Sequence, residues 1–75
     1  MVIKQEKVGE RIIAILYPAH NGLYCVETKE YAPNWYMPWE VRPDGYRCCS
    51  YSYATNRKQA MAIFNEMVTR EKMYA

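Results

Sequence analysis

The chain has no long apolar run, no block of like charge, one histidine, one phenylalanine, and only three glycines and three cysteines among its 75 residues. Each shortage removes a class of function. No stretch approaches the roughly 18 apolar residues that span a bilayer. The N-terminus, MVIKQEKVGERIIAIL, lacks the charged, apolar, small-residue order of an export signal, so a soluble cytoplasmic protein without membrane association is expected. Ten Lys+Arg against eight Asp+Glu leave +2, scattered singly, where a dedicated nucleic-acid coat is usually more basic. An odd number of cysteines, two of them adjacent, suits a reducing compartment better than a disulfide framework. Three glycines lying far apart form no phosphate-cradling loop. With one histidine, nucleophilic chemistry has to run through His20 with Cys25, Cys48 or Cys49. His20 falls at a turn with no evident carboxylate to orient it, so a solvated turn histidine and a non-catalytic protein are expected.

What the chain does have is aromatic side chains and a readable set of elements. At this length a single domain, residues 1–75, buries only roughly 60% of its extended-chain surface, so the core is small. Arg11 to Tyr17, RIIAILY, reads as a buried strand between Gly9 and Pro18. Val2 to Val8 is either its N-terminal extension or a separate edge strand across a turn at Gly9-Glu10. Asn21-Gly22 tolerates positive φ and predicts a tight hairpin turn, with Leu23 to Glu30 as the return strand. On that strand Tyr24 and Val26 are expected to face a helix, and Leu23, Cys25, Glu27 and Lys29 to face away. Pro43-Asp44-Gly45 predicts a second turn, joining a strand Trp39–Arg42 to a strand Tyr46–Tyr53. Simple alternation there sets Cys49, Tyr51 and Tyr53 on one face, and Cys48, Ser50, Ser52 and Ala54 on the other.

The helix has a cap at Thr55 or Asn56. With Asn56 as cap, Gln59 takes the third helical position of a capping box. Ala60, Ile63, Phe64, Met67 and Val68 recur at helical spacing and form the buried stripe, and Arg70 and Lys72 suit the negative pole. The fold class is therefore α+β: an antiparallel sheet of three or four strands with one C-terminal helix packed on one face. A lone helix covers one side of a sheet, leaving the other without a layer.

Two constellations carry chemistry. His20, Cys25, Cys48 and Cys49 are four zinc-type ligands, but adjacent strand residues point to opposite faces and the usual pair of closely spaced cysteines is missing. Ordinary half-buried thiols, with no metal and no cofactor, are the preferred reading. The segment Tyr31–Tyr46, YAPNWYMPWEVRPDGY, holds both tryptophans and three of the four prolines. One reading packs Trp39 and Val41 in the core and lets Trp35 and Tyr36 shield the sheet edge. The other makes Trp35, Tyr36, Met37, Trp39 and Arg42, with Arg47 beside them, a set of partner-binding anchors. Trp, Tyr, Met and Arg are enriched in such sites, and proline reduces the ordering entropy lost on binding.

Trp39 and Arg42 on one strand, Asp44-Gly45 in a turn, Arg47 on the next strand, and Tyr53, Thr55 and Ala60 leading into a helix resemble the arm-type DNA-binding domain of phage and transposon integrases. That resemblance implies a three-stranded sheet in the major groove, with Arg42 and Arg47 reading bases or phosphates. The whole chain, in size, mild charge, aromatic content and layout, resembles small mobile-element proteins that inhibit host defence, anti-CRISPR proteins among them. That resemblance implies a phage protein acting in the cytoplasm of a bacterial host. It would work without chemistry, covering a surface of an RNA-guided nuclease so that DNA cannot load or the nuclease cannot rearrange. A non-catalytic protein-binding inhibitor is the leading expectation and a DNA-binding module the alternative. A homodimer joined through the exposed sheet is a third.

Overall fold

The structure, a computed structural model, describes residues 1–74. Four strands, β1 (Val2–Val8), β2 (Arg11–Leu16), β3 (Tyr24–Tyr31) and β4 (Tyr46–Ala54), precede one helix, α1 (Arg57–Tyr74). The sheet order is β1-β2-β3-β4 with every neighbour antiparallel. The α+β expectation holds, and β1 is the separate edge strand, folded back onto β2 across Gly9-Glu10 with Gly9 at φ +61°.

The core lies between the sheet and α1. Ile13, Ile15, Val26, Ala54, Ala60, Phe64, Met67 and Val68 are buried together, with Val8 at the rim and Tyr24 and Ile63 packed against them. Strand alternation supplies one side of this cluster and the helical stripe the other. The helix starts as its sequence directs: the Gln59 N–H donates to Asn56 Oδ1 at 2.8 Å, satisfying one of the free amides of the first turn. The Gln59 side chain reaches back one residue further than a standard box, accepting from the Thr55 N–H at 3.1 Å. At the other end Lys72 extends to Glu6 of β1 at 3.2 Å.

Three local expectations are corrected. The β2–β3 connection is not a two-residue Asn-Gly turn. It runs from Tyr17 to Leu23, includes a cis Tyr17–Pro18 peptide, and has positive φ only at Gly22. Asn21 instead accepts the Leu23 N–H with its own side chain at 3.1 Å, the competing use of a short amide side chain. The segment Trp39–Arg42 is not a strand. Pro38–Glu40 forms a single 3-10 turn, and only Val41 bridges to Arg47, because Pro38 starts a helical turn more readily than it enters a ladder. The Pro43-Asp44-Gly45 turn does form, with the Gly45 N–H on the Arg42 carbonyl at 2.9 Å and Gly45 at φ +88°.

The third correction concerns β4. Its register shifts between the pairs Thr28↔Ser50 and Lys29↔Cys48, leaving Cys49 as an extra residue. That bulge resets the alternation. Cys48, rather than Cys49, therefore joins Tyr51 and Tyr53 on the face away from α1, beside Cys25, Glu27 and Lys29 of β3. No second layer covers this face among the described residues. The molecule is accordingly flat, with Cα extents of 35 × 30 × 15 Å.

Candidate functional site

The residues between β3 and β4 form a braced loop. The Ala32 N–H donates to the Gly45 carbonyl at 2.9 Å and closes its base. The Trp35 N–H reaches the Ala32 carbonyl at 3.2 Å, and the 3-10 turn is closed by Glu40 N–H to Met37 and Val41 N–H to Pro38. These turns put Trp35 and Trp39 to opposite uses. The Trp35 indole N–H donates to Glu40 Oε1 at 3.0 Å, and the Arg47 guanidinium lies 4.0 Å from the centre of the Trp35 ring. Trp35 is half-buried and ties the loop to β4. Trp39 is 78% exposed and Tyr36 75% exposed, with the Tyr36 ring resting one side on Trp35 at 4.8 Å between centres. The core reading of Trp39 is thereby overturned. A proline-started turn carries its ring outward, whereas a strand would have had a buried face to give it.

Met37 is half-buried within the loop. Arg42 crosses onto the open face and grips Glu27 with two hydrogen bonds, Nη1 to Oε2 at 3.0 Å and Nη2 to Oε1 at 2.6 Å. Glu27 is only 2% exposed. A carboxylate at that depth requires such a partner, and the bidentate fork holds the Arg42 guanidinium firmly protonated, well above its ordinary range. Arg47 has a side chain only 17% exposed and faces Glu30 at 3.5 Å, while Glu30 also meets Arg11, which in turn meets Glu71 of α1 at 3.1 Å. Both arginines are thus engaged with carboxylates of the same chain. Their charge is balanced before any phosphate arrives, which counts against them as readers of nucleic acid.

Of the candidate ligand set, His20, Cys25 and Cys48 border one shallow concavity of about 340 Å³ on the open face, along with Leu16, Tyr51 and Tyr53. Cys49 is not among them, the bulge having placed it elsewhere. No three His, Cys, Asp or Glu side chains among the described residues converge as a metal site. His20 packs edge-on against Tyr53 at 5.9 Å. The thiols of Cys25 and Cys48 are pushed up first by burial and then by the nearby Glu27 charge, and that of Cys49 by burial and Glu30. Each is therefore a weaker nucleophile at neutral pH than an exposed thiol.

Sequence reasoning passed over Glu27 and Glu40, the two acids that hold the loop. Alternation alone sets Glu27 on the face away from the helix, with nothing to mark it as buried. The available signal was its place between Cys25-Val26 and Thr28 in mid-strand, where an ionised group needs an arginine. Comparison with protein-family models, with curated proteins and with solved structures finds no match for this chain.

Proposed function

We propose that this chain is a non-catalytic protein-binding module of inhibitory type, docking through Trp39 and Tyr36 on the loop between β3 and β4. One observation carries the reading: two large aromatic side chains stand 78% and 75% exposed on a segment fixed by three prolines, the Trp35–Glu40 hydrogen bond and the Trp35–Arg47 stack. A wet aromatic ring gives nothing to a domain this small, whereas on a stiff support it is a ready anchor for a partner's pocket. Trp35, Met37, Arg42 and Arg47 position the anchors and Trp39 and Tyr36 make the contact. The likeness to anti-CRISPR proteins gives the partner class to try first, a host RNA-guided nuclease whose DNA-loading or regulatory surface the loop would cover.

The test is a Trp39→Ala/Tyr36→Ala pair assayed for nuclease inhibition or partner capture, with folding followed by circular dichroism. Loss of inhibition with an unchanged fold is expected. Retained inhibition would remove the loop from the binding surface. A parallel titration against random duplex at low and moderate salt separates the DNA-binding alternative. Phosphate binding collapses as salt rises, while anchoring through aromatic rings persists.

A further inference from the structure

The two edges of the sheet are built differently. β1 carries Lys4, Gln5, Glu6 and Lys7 and a register irregularity at Val2/Lys4, the usual protections against pairing with another chain. β4 is guarded only at its start, where Val41 bridges to Arg47 and the bulge follows. From Ser50 to Ala54, SYSYA, it has no charge and no proline, and no further strand among the described residues pairs with it. An unprotected run of strand-forming residues on one edge, opposite a guarded one, marks an edge meant to be occupied.

The ladder shows which backbone groups are free. The Ala32 N–H bonds the Gly45 carbonyl, and the Arg42 N–H bonds the Tyr46 carbonyl from outside the sheet, so Tyr31↔Tyr46 is a non-hydrogen-bonded pair. Even-numbered β3 residues therefore bond β4, and beyond the bulge their partners are Ser50, Ser52 and Ala54. The N–H and C=O groups of Tyr51 and Tyr53 consequently point away from β3. We propose that β4 pairs antiparallel with β4 of a second copy of this chain, about a two-fold axis at Ser52, so that Tyr51 of each copy exchanges backbone hydrogen bonds with Tyr53 of the other.

The second copy is favoured over an unrelated peptide because the run is suited to itself. A two-fold places each side chain against its mirror position, so any charge would meet its like, and Ser50–Ala54 has none. At the axis, Ser52 opposes Ser52 in the closer, non-hydrogen-bonded type of pair, which suits a small side chain. Ser50 and Ala54 oppose each other on the same side and leave room beside α1. On the open face Tyr51 and Tyr53, already edge to face at 5.5 Å, meet their counterparts and form one cluster of tyrosine rings. The short straight run predicts a weak dimer, populated as concentration rises.

Sedimentation velocity from micromolar to millimolar protein tests this. The average mass should climb from 8.9 kDa toward twice that value, the climb should vanish in Ser52→Lys, and it should persist in Gln5→Lys on the opposite edge. A protein that stays monomeric throughout, or a dimer untouched by Ser52→Lys in a folded variant, overturns the proposal. Amide hydrogen exchange of the unmodified protein gives a readout independent of any variant. The Tyr51 and Tyr53 amides should exchange at least about tenfold more slowly at high than at low concentration, and equal rates at both would overturn it as well.

Discussion

At the scale of single residues, the Glu27–Arg42 pair is the most exacting interaction. Removing Arg42 strands a carboxylate that is 2% exposed, so Arg42→Met should cost about 2–3 kcal/mol in urea denaturation. Adding Glu27→Met should recover most of that loss, because neither charge then remains unpaired. The two tryptophans should behave oppositely. Trp39→Ala should change stability by no more than about 0.5 kcal/mol. Trp35→Ala, which releases both Arg47 and Glu40, should cost about 1–2 kcal/mol and loosen the loop. The cysteines give a pH dependence. Their thiols are raised above the ordinary 9.0, so below that value both folded and unfolded thiols are protonated and contribute nothing. As pH rises through about 9 the unfolded thiols ionise first, and stability falls. Replacing all three with alanine should flatten the alkaline limb of a stability-against-pH curve. Trp39 and Arg42 were recognisable as special from their place in the aromatic, proline-rich segment Tyr31–Tyr46. Their roles were not, because which ring turns outward depends on a single 3-10 turn, and the neutralisation of Arg42 and Arg47 depends on acids 15 and 17 positions away in sequence.

At the scale of elements, α1 was legible from its cap and its apolar spacing because both signals are local. Asn56→Ala should cost about 1 kcal/mol and lower the melting temperature by roughly 5 °C. Strand β4 was legible in extent but not in phase, since the extra residue at Cys49 is defined only against β3. The second turn has a close neighbour that the sequence does not reveal: a Cβ on Gly45 would come within 2.6 Å of Tyr31 Cε1, at φ +88°. Gly45→Ala should therefore displace the Tyr31 ring and strain the turn. The expected readouts are a loss of about 1–2 kcal/mol and a shifted Tyr31 ring resonance.

At the scale of the molecule, one small core carries the fold. Domains of this kind are stable by roughly 5 kcal/mol or somewhat more, and Phe64, at the centre, is buried. Phe64→Ala should remove about 3–4 kcal/mol and leave a measurable unfolded fraction at room temperature. No helix of the described residues is long and apolar enough to cross a membrane. The 15 Å thickness has its own consequence. A body this thin has helix and open sheet as its two broad flanks, so every buried side chain lies within one layer of solvent, and a cavity opened in the single interior has few neighbours to collapse into it.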